Sequence, residues 1–405
     1  MSEYERLQRS HAEHFVEQVD GALQRLWWDT DRLREERRQR LAALLGWAAT
    51  RSPWHARRLG RLDPGEVTED RLRDLPTMTK TDLMTFFDDI VTDGRLSREL
   101  VEAHVGSLGT ADGYLLDEYH AVATAGRTGQ PGLVVYDWTS WATCYLTIIR
   151  TAMMITKITY PDRFDPATGH LWEGTSVRAC CVGADTAAHL SRAAPLTMTT
   201  DDIQIWPIPA TAPLPAQVEQ LEAARPEVLD GFPSALLRLA QEAAAGRLTI
   251  DPILVTSQGE PLARPERELL AATWRSPVCE VYTLSECGGV AATCVGGELH
   301  VCDDTIIVEP VDAEGRPVAP GEPAAKWYLT NLYNATLPLI RYEVDDPVTL
   351  GAGTCACGSA HRTLTVGDRG SDTAAVADQA PGRPARRPAG GDVAAPAARE
   401  ASHVR

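Results

Sequence analysis

The chain has 405 residues, of which 44 % are hydrophobic, enough to bury a large core and more than one subdomain. A formal net charge of −17 excludes a nucleic-acid surface, because duplex affinity rests on Lys and Arg neutralising phosphates. Nine cysteines at uneven spacing are too few for a disulfide scaffold, and the acidic opening Met1-Ser-Glu-Tyr-Glu-Arg6 lacks a secretory signal, so the expectation is a cytoplasmic protein with reduced thiols.

Over the first fifty residues Phe15, Val19, Leu23 and Trp27, then Leu41, Leu44 and Leu45, recur on one face, which predicts amphipathic helices forming a helical cap over residues 1–110. Ser52-Pro-Trp54 and Asp63-Pro-Gly65 mark turns, and Leu75-Pro-Thr-Met-Thr79 followed by Lys80-Thr-Asp-Leu83 marks a helix start. From 111 to 298 short β-branched runs alternate with helical segments. Val134-Val135, Val177 to Val182, Ile253 to Thr256 and Val278 to Tyr282 are predicted strands; Pro215 to Ala224, Ser234 to Ala245 and Arg264 to Thr273 are predicted helices. This βαβ rhythm predicts an α/β fold with a layered body. The apolar stretch Trp141 to Tyr160 is interrupted by Arg150 and Lys157 and is expected to be a core helix, not a membrane span. Residues 299–371 are strand-rich, with Thr305 to Glu309, a Glu314-Gly315 turn and Trp327 to Thr330, and predict a smaller antiparallel β subdomain. Residues 372–405 are Ala/Pro/Arg-rich without apolar periodicity and are expected to be a disordered tail.

Chemistry concentrates in a few segments. The run Thr124-Ala-Gly-Arg-Thr-Gly-Gln-Pro131 lies between apolar Ala121-Val-Ala123 and Leu133-Val-Val-Tyr136, so it bridges two strands as a loop whose backbone N–H groups can face phosphate oxygens. Alone, such a run is weak evidence of a site, since such loops occur as plain turns. It is followed in order by Gly231-Phe-Pro-Ser-Ala235, Gly259-Glu-Pro261, Tyr282-Thr-Leu-Ser-Glu286 and Arg341-Tyr-Glu-Val-Asp-Asp346.

Together these segments resemble the adenylate-forming superfamily of acyl-CoA synthetases and adenylation domains. Ser52-Pro-Trp-His-Ala-Arg-Arg58, Leu75 to Leu83 and Leu337-Pro-Leu-Ile-Arg-Tyr342 are similar to its phenylacetate-CoA ligase branch, and the resemblance runs from about Ser52 to Asp372. It implies that Thr124, Gly126, Arg127, Thr128 and Gly129 hold the β- and γ-phosphates of ATP, with Thr128 in the catalytic set. Ala125, Arg127 and Gln130 depart from the hydroxyl residues and lysine of the family loop. It further implies that Gly259, Glu260, Pro261 and Tyr282 bracket the adenine, with Ser285 beside the nucleotide. Glu286 would be the catalytic Mg2+ ligand, Asp346 would accept from the ribose hydroxyls, and Arg369 would lie near the family's hinge. Read without the resemblance, Glu286 is a solvated acid at a helix start. Asp345 stands where the family has glycine, which predicts a strained turn.

Cys294-Val-Gly-Gly-Glu-Leu-His300 and Cys355-Ala-Cys357 offer three thiolates and one imidazole, a donor set suited to a structural tetrahedral Zn2+, with Cys287 and Cys302 as alternative ligands and four unconnected reduced residues as the plain reading. Trp138, Trp141 and Tyr145 share one helical face and either line an aryl pocket or pack the core.

Family members also carry a mobile C-terminal domain whose lysine contacts the reacting groups. This chain's lysines are Lys80, Lys157 and Lys326, and the segment after Asp372 is too short and polar for that domain. The resemblance therefore implies ATP- and Mg2+-dependent activation of an aromatic or heteroaromatic carboxylic acid in specialised metabolism. The adenylate would pass to a downstream reductase, acyl carrier or transferase. Full aryl-CoA ligation, nitrite activation for diazotisation of an aryl amine, and a non-catalytic nucleotide-binding subunit are the alternatives.

Overall fold

A computed structural model describes residues 3–60, 62–108, 113–124, 131–165, 176–193 and 203–367. The N-terminal third is helical: α1 Glu3–Arg25, α2 Thr30–Arg51, α3 Pro53–Leu59, α4 Lys80–Thr85, α5 Phe87–Ile90 and α6 Arg98–Ser107. Short polar residues set these starts. Asp29 accepts from the Arg32 N–H at 2.8 Å, and Ser52 caps α3 with Pro53 in its first turn. Thr79 and Asp82 form a reciprocal capping box on α4.

An antiparallel pair, β1 Tyr119–Ala123 and β2 Leu133–Asp137, leads into the long helix α7 Trp138–Thr159. The strands β3 Val177–Gly183, β4 Ile203–Pro209, β5 Val228–Gly231, β6 Leu254–Gln258 and β7 Val278–Leu284 then alternate with α8 Leu214–Ala224, α9 Pro233–Ala244 and α10 Arg264–Trp274. After β7 come β8 Gly288–Thr293, β9 Leu299–Val301, β10 Ile306–Val311, β11 Lys326–Asn331, β12 Tyr342–Val344, β13 Val348–Leu350 and β14 Thr363–Val366.

Nine of these strands form one sheet, in the order β13-β14-β9-β8-β7-β6-β5-β3-β4. The block from β4 to β7 is parallel and the remainder antiparallel. The small antiparallel sheet is β10-β11-β12; β9, β13 and β14, also from the strand-rich segment, extend the large sheet instead.

The parallel block has two unlike faces. Cys180, Val182, Leu229 and Val255 point into a core sealed by α8, α9 and α10. Leu254, Cys279 and Val281 point the other way, into the larger core containing α7. α7 meets β8 at Gly288 and Gly289, where a Cβ would collide with the α7 backbone at Cys144 and Thr147, so only glycine allows this approach.

α7 is a buried helix, as its charge pattern predicts. Arg150 lies inside it and makes two 2.6 Å hydrogen bonds to Asp304, both side chains being buried. No helix among the described residues is long and apolar enough to cross a membrane.

The aromatic face of α7 is mostly core. Trp141 is fully buried and stacks on His120 at 4.7 Å, and Trp138 stacks on His11 of α1 at 5.0 Å. His11 and His120 share a hydrogen bond of 2.8 Å. Burial lowers His11 to about 4 and takes His120 well below its ordinary value, so both are neutral and one can donate to the other. Trp141 is therefore core, not pocket lining. Tyr145, half-buried against Phe15, keeps some open surface, as does Trp138.

Candidate active site

The groups singled out in the sequence are carried by the carboxyl ends of the parallel strands and by segments packed beside them. In open α/β sheets this edge is where ligands bind.

β7 runs into the turn 285–287, whose three successive carbonyls are fixed by side chains from elsewhere. Tyr136 donates to the Ser285 carbonyl, Asn331 Nδ2 to that of Glu286 at 2.9 Å, and Tyr333 to that of Cys287 at 2.8 Å. The turn is thus held before any ligand arrives. Glu286 is 9 % exposed and accepts from the Tyr342 hydroxyl at 3.1 Å. It is no solvated surface acid. Burial pushes its carboxyl above the ordinary value; the Tyr342 hydrogen bond and the charge of Lys80 pull it back, and Asp346 pushes it up again.

Lys80 and Asp346 therefore lie within electrostatic reach of Glu286. Lys80 Nζ donates to Thr124 Oγ1 at 3.2 Å. Thr124 closes the neck of its loop, its N–H donating to the Gly132 carbonyl and its hydroxyl accepting from the Gly132 N–H, each at 2.8 Å. Lys80 reaches this point because Met78 pairs with the strand beginning at Tyr342, through Met78 N–H to the Arg341 carbonyl at 3.0 Å and Glu343 N–H to the Met78 carbonyl at 2.8 Å. The sequence reading gave Lys80 no role.

Asp346 is 3 % exposed and accepts from the Tyr282 hydroxyl, so the residues assigned to ribose and adenine touch each other directly. Asp345 is exposed and not left-handed, so its departure from glycine strains nothing. The strained backbone is at Arg341, with φ of 53°. It is held there by bonds from its guanidinium to the Arg73 and Leu75 carbonyls and to Glu309, which tie the segment before α4 to the small sheet.

At the end of β6, Gly259 adopts φ of 80°, and a Cβ there would strike the Phe232 ring. The Glu260 carboxylate is turned to α9, accepting from the Ser234 N–H at 2.9 Å and its hydroxyl at 3.0 Å. Its side chain thus caps a helix, leaving the backbone of 259–261 as the part that can meet a base. Gly126, Arg127, Thr128, Gly129 and Arg369 lie outside the described residues.

A second cluster lies at the antiparallel end of the large sheet. The ligand atoms of Cys294, His300, Cys355 and Cys357 all fall within 4.8 Å of one another. Cys294 Sγ and Cys355 Sγ are 3.8 Å apart, and Cys357 Sγ is 3.4 Å from His300 Nε2. Tetrahedral Zn2+ with bonds of about 2.3 Å to sulfur and about 2.0 Å to nitrogen requires edges of roughly this size. His300 Nδ1 lies 2.8 Å from the His361 carbonyl, which fixes the tautomer that leaves Nε2 free to ligate. Backbone N–H groups of Gly296 and Cys357 approach the sulfurs of Cys294 and Cys355 at 3.3 and 3.5 Å. Cys287 and Cys302 are buried against α7 and do not belong to this set. The cluster joins the β8–β9 turn to the β13–β14 connection within one sheet.

No family model matches the sequence, and no curated protein matches it. Solved structures do match. A 2-hydroxyisobutyryl-CoA ligase, crystallised in an open conformation in complex with 2-HIB-AMP and CoA, is similar with a TM-score of 0.61 and 18 % identity over 84 % of this chain and 75 % of that one. The same ligase in its postadenylation state with R3-HIB-AMP, and in its thioesterification state with 2-HIB-AMP and CoA, is similar at the same TM-score and identity over 84 % of this chain and 68 % of those. This likeness establishes the adenylate-forming fold.

Proposed function

We propose that this chain, which has the adenylate-forming fold, uses ATP and Mg2+ to convert an aromatic or heteroaromatic carboxylic acid into its acyl-adenylate. The meeting of Lys80, Thr124, Glu286 and Asp346 carries the reading: four distant parts of the sequence place a cation, a hydroxyl and two buried carboxyls at one strand edge.

In the reaction, an oxygen of the acid's carboxylate attacks the α-phosphorus of ATP. The acyl C–O–P linkage forms as the bond from the α-phosphorus to the bridging oxygen breaks, and pyrophosphate leaves with that oxygen. Lys80 offsets phosphate charge, and its contact with Thr124 orients the neck of the loop. Glu286, a hard oxygen donor on a clamped turn, fits Mg2+, which when bound neutralises the phosphates. Asp346 would accept from the ribose hydroxyls, with Tyr282 holding that carboxyl in place. The Cys294, His300, Cys355 and Cys357 set would hold a structural Zn2+.

ATP–pyrophosphate exchange over a panel of aryl acids tests the proposal. Tight ATP binding with no exchange for any acid rejects it.

A pH dependence follows from Glu286. Its carboxyl is raised in the fold, so the ligand-free protein loses stability as pH rises through that raised value. A metal ion competes with the proton for the same oxygens. Mg·ATP should therefore raise the unfolding temperature more at about pH 8 than at about pH 5, close to the ordinary carboxylate range, and differential scanning fluorimetry on wild type and Glu286→Gln checks it. An equal rise at both pH values would count against Glu286 as the ligand.

A further inference from the structure

In the middle of the parallel block, on the face turned toward α7, Cys181, Asp230 and Thr256 stand side by side on β3, β5 and β6. Gln258 lies two residues further along β6. On the opposite face Cys180, Val182, Leu229 and Val255 have no exposed surface. Cys181, Asp230, Thr256 and Gln258 each keep some, as does Tyr145 on the helix above. A central sheet position under a long helix is normally sealed, so this asymmetry marks a cleft between the sheet and α7.

The floor of that cleft is a carboxyl group. Asp230 Oδ1 accepts from Thr256 Oγ1 at 2.6 Å, Oδ2 accepts from Gln258 Nε2 at 2.9 Å, and the Cys181 thiol supplies a third hydrogen bond. All three donors are neutral. No ion pair among the described residues includes Asp230. Burial raises its pKa, and the three hydrogen bonds only partly restore it. Burial first, and then the charges of Cys181 and Asp230, also raise the Tyr145 phenol, which places that ring over the same spot.

A carboxylate offers about four acceptor positions, so one remains open after these three donors. If Asp230 served only to join β5 to β6, asparagine or threonine would do so without the cost of a desolvated charge. Its place also matters. Asp230 precedes Gly231 at the carboxyl end of β5, and Gln258 immediately precedes Gly259, so the cleft opens at the edge that holds Tyr282, Glu286 and Asp346.

We propose that Asp230 is a specificity-determining residue and that the acid activated here carries an amino group, whose N–H donates to the open position on Asp230 while Tyr145 walls the cleft. This rests on the adenylation reading and narrows its substrate class to amino-substituted carboxylic acids.

The test uses the full chain and matched acids with and without one amino group: 3- and 4-aminobenzoate against benzoate, and 4-aminophenylacetate against phenylacetate. In pyrophosphate exchange the best amino acid of the set should exceed its amine-free partner by about 100-fold or more in kcat/KM, mainly through KM, because a site built to pair a donor rejects the analogue lacking it. Asp230→Asn should shrink that ratio to a few-fold, and Asp230→Leu should invert it. Both variants should unfold at or above the wild-type temperature, since a desolvated carboxyl is removed. Equal rates within the wild-type pairs, or a preference that survives Asp230→Asn, overturn the assignment while leaving adenylation intact. Should no acid support exchange, the adenylation reading falls separately. Calorimetric titration of the same pairs then decides: amine-dependent binding lost in Asp230→Asn upholds the role of Asp230, and its absence in wild type overturns it.

Discussion

Alanine at Lys80 is expected to slow ATP–pyrophosphate exchange by about 100-fold to 1000-fold while leaving the unfolding temperature close to wild type. Lys80 Nζ lies 3.2 Å from Thr124 Oγ1, at the neck of the phosphate-loop candidate, and its charge is felt by the buried Glu286. Without it, the phosphates would meet Glu286 and Asp346 with one cation fewer, where charge is poorly screened. The fold should tolerate the change. Lys80 is the first residue of α4, the capping box uses Thr79 and Asp82, and alanine is a better helix former than lysine. Arginine should rescue only partly, because the Lys80 stem is packed beside Gly132, where an added Cβ would lie 3.2 Å from Lys80 Cε. Lys326 supplies the control: it pairs with Glu343 at 2.6 Å across β11 and β12, and Lys326→Ala should exchange at the wild-type rate. Wild-type exchange in Lys80→Ala would remove the lysine from the site.

Why Lys80 was invisible in the sequence, when Glu286 and Asp346 were not, is a matter of range. Glu286 and Asp346 each stand in a short contiguous segment that resembles a known family, and such segments survive in one dimension. The position of Lys80 depends on Met78 pairing with Tyr342, a contact between segments with no shared periodicity. The same distinction runs through the fold. The helices α8, α9 and α10 and the strands β2, β3, β6 and β7 fall close to their predicted ranges because spacing alone encodes them, whereas β5, a short strand without a β-branched run, had no such signal. Trp138, Trp141 and Tyr145 share a helical face as spacing says, but whether that face meets ligand or core is decided by α1, which brings His11 and Phe15 onto it. Glu260 was legible as part of a motif, yet its carboxylate serves α9. Backbone strain was expected at Asp345 on the identity of one residue and is found at Arg341, where long-range bonds to Arg73, Leu75 and Glu309 impose it.

The Cys/His cluster gives the second large expected effect, on stability. Purified protein should carry one Zn2+ per chain, and Cys355→Ser or Cys357→Ser should abolish stoichiometric binding, read by mass spectrometry under native conditions and by elemental analysis. The energetics follow from what the ligands join. Cys294 and His300 bound the β8–β9 turn, while Cys355 and Cys357 belong to the connection between β13 and β14; β14 pairs with β9 through Thr363 and Leu364, and His361 and Arg362 just before it bond to Val301 and Asp303. The cluster is a further tie between these two segments. A ligand at about 1000 times its Kd adds about 4 kcal/mol to the folded state, so chelation should lower the unfolding temperature by several degrees and release hydrogen-exchange protection first in β13 and β14. α8, α9 and α10 sit on the other core and should keep their protection. Cys287→Ala provides the contrast, since Cys287 is buried outside the cluster and its replacement should leave the zinc content at wild-type level. Zinc content unchanged in Cys355→Ser and Cys357→Ser, or protection in β13 and β14 indifferent to chelation, would show that these thiols form no metal centre.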